Sequence, residues 1–182
     1  MIEFSPIHKK DLDLIMKWRT SSDITRFMIT DFKIDKKTQI AWYNKIKKDS
    51  NSIYWLIKYK NIPVGLNSLN DIDWSNHYCF GGFYIGDSKY RALLGGYIPY
   101  LTLNFLFSNT KIIKSIANIF ADNNNVIKLY KNVGYKEVGK FKNHILKNGK
   151  RYDMVYLEFL KSDWEKNQKL FSNYKAIFKE GT

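Results

Sequence analysis

Apolar positions along the chain follow two rhythms, and the switches between them outline the elements. Glu3 to Ile7 reads as a short first strand. Leu12, Ile15, Met16 and Arg19 then fall at helical spacing within Asp11 to Arg19. Ser22 and Asp23 are cap residues for a short second helix ending near Met28. Asp35 caps a third, whose stripe is Ile40, Trp42, Tyr43 and Ile46. Ile53 to Tyr59 is β-branched and aromatic, which predicts a strand. Asn61-Ile-Pro-Val-Gly65 turns into a second strand reaching about Ile72, and the two make a hairpin.

Tyr78 to Gly86 is the next strand. Gly81 and Gly82 lie inside it, where glycine weakens a strand unless a bulge or a close backbone approach needs it. Gly96 to Asn109 is apolar nearly all round and predicts a buried helix, with Pro99 tolerated in its first turn. Ile112 to Ala121 is a strand. Asn125 to Val133 is a helix with Val126, Leu129, Tyr130 and Val133 on one face, ended by Gly134. Tyr135 to Leu146 and Arg151 to Leu160 are strands joined by Lys147-Asn-Gly-Lys150, a strong hairpin signal. Residues 162–179 suggest a polar helix or tail. The order predicts an α+β fold: a mixed sheet of about seven strands, with helices on both faces.

A length of 182 residues suits one domain, taken as residues 1–160 with 161–182 as a C-terminal helix or tail. With 45% hydrophobic and 26% charged residues, the composition is globular. No apolar run approaches the roughly 18–20 residues of a membrane span, so no membrane partner is expected. The first residues, Met1-Ile-Glu-Phe, lack the basic-then-apolar order of a signal peptide. Cys79 is the single cysteine, so no internal disulfide forms and a cytoplasmic setting is expected. In a strand it reads as buried and inert, since an acyl-enzyme role needs an adjacent base. His8, His77 and His144 are far apart and show no metal-ligand spacing.

Charge narrows the partners. Thirty basic against 17 acidic residues leave +13, a balance that attracts polyanions. Nucleic acid, a phosphorylated cofactor and a nucleotide-linked substrate all qualify. The lysines are spread without a dense block, as on plain solvated faces.

Two segments carry candidate chemistry. Arg91-Ala-Leu-Leu-Gly95-Gly96 follows a strand and opens a helix. Backbone N–H groups there suit a pyrophosphate, and Arg91 adds a charge-assisted contact. The plain alternative is a strand-to-helix turn. Further on, Asn123 ends a strand just before a helix, Tyr130 lies two turns along, and Gly134-Tyr135 closes the unit. On spacing alone, Tyr130 is either a core aromatic or a catalyst.

Together these segments resemble the GNAT family of N-acetyltransferases. The family's acyl-CoA loop, Arg/Gln-x-x-Gly-x-Gly/Ala, matches at Arg91, Leu94 and Gly96, with leucine in place of the first glycine and Gly95 beside it. Its second signature, Asn-x-x-Ala-x-x-Leu-Tyr-x-x-x-Gly-Phe/Tyr, maps onto Asn123, Val126, Leu129, Tyr130, Gly134 and Tyr135. His144 to Asp153 looks like the hairpin of many members. The resemblance implies the GNAT fold with a V-shaped cleft and acetyl-CoA as cofactor. It implies pantetheine along Tyr84, Ile85 and Gly86, and pyrophosphate on Arg91, Leu94, Gly95 and Gly96. Asn123 would help to hold the cofactor, and the Tyr130 phenol would protonate the departing sulfur. An acceptor ammonium must first lose a proton. Many relatives carry a glutamate on the Gly-rich strand; Cys79 to Tyr84 has no carboxylate, which leaves Asp71 and Asp73 as candidate bases or as solvated turn residues.

The N-terminal half is similar to the acetyltransferases of pseudaminic acid biosynthesis, through Lys17 to Met28, Ile34, Trp42, Val64 to Asp73 and Gly82 to Ile85. That subgroup acts on a UDP-linked 4-amino-4,6-dideoxy sugar. By this resemblance Arg19 and Tyr84 contact the nucleotide-sugar. Gln39 stands at a third substrate-contact position, where that subgroup can carry a histidine. Acetylation of a protein α-amine is the next reading, through the motifs shared with ribosomal N-terminal acetyltransferases. A non-catalytic RNA-binding module is a third, but no RRM-type stacking motif supports a nucleic-acid partner. Homodimer formation is left open.

Overall fold

The computed structural model describes residues 1–30 and 35–182, so Ile34 lies outside the described residues. The elements are β1 (Ile2–Ser5), α1 (Leu12–Arg19), α2 (Ser22–Thr25), α3 (Lys36–Ile46), β2 (Ile53–Tyr59), β3 (Ile62–Asp73), β4 (Tyr78–Ile85), α4 (Arg91–Leu94), α5 (Ile98–Asn109), β5 (Lys114–Phe120), α6 (Asn124–Val133), β6 (Lys136–Lys147), β7 (Lys150–Leu160), α7 (Lys161–Lys166), α8 (Gln168–Phe171) and β8 (Ile177–Phe178). Among the described residues the strands form one sheet, in the order β6-β7-β5-β4-β3-β2-β1-β8.

Local chemistry sets several boundaries as the residue types predict. The Asp35 carboxylate accepts the Thr38 N–H at 2.7 Å and starts α3. Gly134 ends α6 in the left-handed region, at φ 114°. Asn148 and Gly149, at φ 48° and 74°, make the tight turn between β6 and β7.

The β2–β3 hairpin departs from expectation. Its turn is Lys60-Asn61, at φ 49° and 67°, and Pro63 stands inside β3. The register slips beside Pro63, between Ile57 and Lys58. Such a bulge accommodates a residue with no N–H to donate. The Arg91 segment also differs: it coils into the helical turn α4 instead of an open loop.

Residues 161–182 are built into the sheet and its covering layer. β8 pairs in parallel with β1 and adds an eighth strand. Phe171 is buried in the main core, and Phe178 stacks on Phe4 with ring centroids 4.0 Å apart. Asn104 of α5 anchors this segment. Its amide donates to the carbonyls of Phe171 and Tyr174, each at 2.8 Å, and its oxygen accepts the Trp164 indole N–H at 2.8 Å.

Alternation along the strands builds a core on each face. Trp55 and Ile57 of β2 join a cluster with Leu101, Leu106, Val133 and Phe159. Leu56, between them, joins Ile15, Trp18, Tyr43, Ile46 and Leu66 on the side of α1 and α3. Buried residues of α5 fall on all its sides, at Ile98, Pro99, Leu101, Thr102, Leu103, Leu106 and Phe107, as its composition predicts.

Candidate functional site

The sheet is interrupted near its middle. β4 and β5 pair in parallel only through Tyr78 with Lys114, Cys79 with Ser115, and Phe80 with Ile116. Beyond that point β4 stays paired to β3 and β5 to β7, so the two strands part and leave a V-shaped opening. A cleft of about 710 Å³ runs through it. Its walls bring together Arg19, Tyr84, Ile85, Arg91, Gly95, Asn123, Tyr130 and Asp71, eight of the residues singled out from the sequence. The edge of β4 from Gly81 to Ile85 that faces the opening is unpaired. Unpaired strand edge is what an extended, amide-bearing ligand needs for main-chain hydrogen bonds.

On one side of the opening Tyr130 is buried, edge-to-face on Tyr135 (4.8 Å) and tilted against Phe83 (6.4 Å). Burial pushes its phenol well above the ordinary value, which keeps the proton on oxygen. Tyr135 is fixed in turn by a 2.8 Å hydrogen bond to Ser115. Asn123 precedes α6 and its side chain makes no capping bond there, so its amide is available to the cleft. Arg91 Nε donates to the Ile85 carbonyl at 3.0 Å, and its Nη1 pairs with Asp23 at 3.1 Å. Within the α4 turn, the Gly95 and Tyr97 N–H groups donate to Arg91 and Leu94. The Gly96 N–H has no backbone partner among the described residues.

On the other side Arg19 lies over the Trp42 ring at 5.7 Å. Tyr84 meets Trp18 edge-on, and its buried hydroxyl has no partner among the described residues. Burial raises the Tyr84 phenol too, against a smaller opposing pull from Arg19. Asp71 sits at φ 46° on a bulge, where the β3–β4 register slips between Asn70 and Asp73. A bulge re-aims a side chain, and here it directs an exposed carboxylate to the cleft.

Five candidates are outside the cleft lining: Gly86 and Gly96, which flank it in sequence beside Ile85 and Gly95, and Asp73, Gln39 and Leu94. Asp73 is outside the cleft wall and ties its own turn together: its carboxylate accepts the N–H groups of Ser75 (3.0 Å) and Asn76 (2.7 Å) and the Asn76 amide (2.9 Å). These bonds, the Asn76 side chain first, hold its carboxyl below the usual range. Its carboxylate is thus engaged within its own turn, the alternative the sequence offered beside a base. Gln39 is buried in α3 away from the cleft, with both amide atoms unpartnered among the described residues. The Leu94 side chain is buried in the main core and does not line the cleft. Cys79 is likewise enclosed, and burial pushes its thiol up to about 12, which makes it inert.

The cleft also gathers residues that spacing did not single out: Asp49, Ser68, Asn70 and Tyr54. Tyr54 meets Trp42 edge-on at 5.5 Å, and burial raises its phenol. Strand alternation placing Tyr54 on the same face as Leu56 was the available signal.

Known proteins fit this geometry. The model of the acetyltransferase (GNAT) domain matches residues 5–156. The chain belongs to the GNAT acetyltransferase family. It is similar to Acetyltransferase PseH from Campylobacter jejuni strain 81-176, 26% identical over 127 residues, covering 70% of this chain and 78% of that one. PseH of strain NCTC 11168 is 27% identical over 128 residues with the same coverage. Among solved structures, a spermidine N-acetyltransferase from Vibrio cholerae in complex with CoA and spermine superposes with a TM-score of 0.83 at 16% identity, over 90% of this chain and 98% of that chain. At that identity the match shows the shared fold.

Acetyl-CoA is accordingly the cofactor of this GNAT enzyme. The residues present suit it. The free β4 edge matches an amide-bearing arm, and Arg91 supplies a cation beside it. A side-chain carbon added at Gly82 would meet only Ser68 Oγ, at 3.7 Å, so space is kept there that the protein does not fill.

Proposed function

We propose that this GNAT enzyme acetylates the amine of a nucleotide-linked amino sugar of the UDP-4-amino-4,6-dideoxy-N-acetylaltrosamine type. When bound, acetyl-CoA supplies an acetyl group activated as a thioester. Ile85, Gly86 and the β4 edge hold its arm, while Arg91, the Gly96 N–H and Asn123 hold its polar groups. The protonated Tyr130 phenol donates to the departing sulfur, because a thiolate leaves more readily once protonated. Asp71 accepts the proton of the acceptor amine, directly or through one water, on the side opposite Tyr130.

The observation that carries the acceptor reading is the pairing of Arg19 with Trp42 beside the unsatisfied Tyr84 hydroxyl. A guanidinium over an aromatic face offers charge to a diphosphate and a flat surface to a base. The buried hydroxyl gains a partner when a polar ligand enters. A net charge of +13 adds long-range attraction for a dianion. A polyamine fits less well. Of the carboxylates at the cleft, Asp23 is paired with Arg91, and Asp49 is taken by Ser52 and the Asn51 N–H.

The test is turnover by purified protein given acetyl-CoA and the UDP-4-amino sugar, followed by thiol release. Spermidine and ribosomal N-terminal peptides serve as competing acceptors. Turnover of the sugar is expected; turnover of a peptide or spermidine without it overturns the reading.

A further inference from the structure

Lys147 is the one buried lysine among the described residues, with 7% exposure at the end of β6. Among those residues no carboxylate pairs with it. Its ammonium donates instead to two main-chain carbonyls, that of Thr25, the last residue of α2, and, at 2.9 Å, that of Met28 three residues on. It also lies 5.9 Å from the centre of the Phe120 ring at the end of β5. Enclosing an ammonium without a counter-ion is unfavourable unless its donors are satisfied. Carbonyls at a helix C-terminus satisfy them and carry partial negative charge.

These contacts join the sheet to a segment with little structure of its own. α2 has four residues, and the chain after it runs to Thr30 through single turns, Phe27 to Ile24 and Met28 to Thr25. Yet Ile24, Phe27, Met28, Ile29 and Thr30 all line the cleft on the Arg19 side, and Phe120 lines it from β5. A wall this short takes its position from what grips it.

We infer that Lys147 is a positioning residue for the acceptor: from the β6–β7 hairpin it fixes the wall formed by residues 24–30 against the sheet. The inference rests on the reading that this side of the cleft receives the acceptor. A displaced wall misplaces the acceptor amine and leaves the thioester side intact, and small misplacements at a reacting centre cost rate steeply.

The test compares Lys147→Met with Lys147→Arg, using the UDP-4-amino sugar as acceptor probe and amide hydrogen exchange as a readout needing no acceptor. In the Met variant, exchange within residues 24–30 should quicken by about tenfold while the sheet keeps its protection. The KM for the sugar should rise by about tenfold with the acetyl-CoA KM within about twofold, and Lys147→Arg should restore both. Native exchange at 24–30, or equal loss for the two substrates, overturns the proposal. Should the Met variant not fold, Lys147→Gln, which keeps a donor without the charge, is read by the same criteria. If the wild type turns over no amino sugar, the acceptor reading fails, and the exchange pattern still decides whether Lys147 holds the wall.

Discussion

Arg91 Nη1 lies 3.1 Å from Asp23 Oδ2, so the arginine of the acyl-CoA motif is held by a carboxylate from the opposite wall of the cleft. The pair joins α4 to α2 across 68 residues of chain. A pyrophosphate arriving at Arg91 must compete with Asp23. An exposed pair of this kind is worth about 0–1 kcal/mol. Asp23→Asn should therefore tighten acetyl-CoA by up to about fivefold in a calorimetric titration. Arg91→Ala should weaken it. Unchanged binding in Arg91→Ala would mean that Arg91 is not a cofactor contact.

Tyr130 makes a separate prediction. The ring packs on Tyr135 and Phe83, and Phe preserves that packing. Tyr130→Phe should lower kcat by about 10²–10⁴ with acetyl-CoA affinity within about twofold. Burial favours the neutral phenol, so its pKa is raised and the acid form persists to high pH. The kcat profile should then show no fall attributable to loss of this proton up to about pH 10. Equal turnover in the Phe variant removes Tyr130 from the chemistry.

Asp71 and Asp73 are two positions apart and should separate cleanly. Asp71 faces the cleft, and Asp71→Asn should cut kcat by about 10² or more at neutral pH. Asp73→Asn should leave kcat near normal and lower Tm at pH 7. Its folded pKa is depressed by the bonds to Asn76 and Ser75, so the stabilisation is present above the unfolded value of about 3.9. It fades as pH falls through the depressed folded value. The Tm difference between wild type and Asp73→Asn should shrink below about pH 4 accordingly. Loss of kcat in Asp73→Asn alone would exchange the two roles.

How far the sequence reaches depends on the range of the forces involved. Asp35, Gly134 and Asn148-Gly149 act within a turn, and their elements were legible from residue type. The long apolar run of α5 declared its burial in the same way. Asp71 was legible as a carboxylate near the site, but its aim depends on the bulge against β4, a register set between strands. The fate of residues 161–182 was not legible: Trp164, Phe171 and Phe178 recur every seven residues as along one helix, yet the chain breaks into α7, α8 and β8, and these side chains find their partners on α5, β1 and β2. Gln39 could not be separated from the cleft by helical spacing alone, since that spacing does not say which side of α3 the cleft lies on.

Gly82 tests whether the cleft is shaped for a ligand or only by packing. In a strand interior glycine is normally a cost, and the protein itself leaves room for a side chain there: an added carbon would meet only Ser68 Oγ, at 3.7 Å. Gly82 also needs no unusual backbone angle. Gly82→Ala should therefore stabilise the fold through a less flexible unfolded chain, by about 0.4–1 kcal/mol. For a chain of this size that is a rise in Tm of roughly 1–4 °C. The added methyl enters the cleft beside Ser68, so turnover at low substrate should fall by about tenfold or more despite the firmer fold. Gly86 behaves oppositely, because an added carbon there runs into the Trp18 indole, and Gly86→Ala should lower Tm and activity together. A Gly82→Ala protein that is both more stable and fully active would show that the space beside β4 is not where the reacting groups meet.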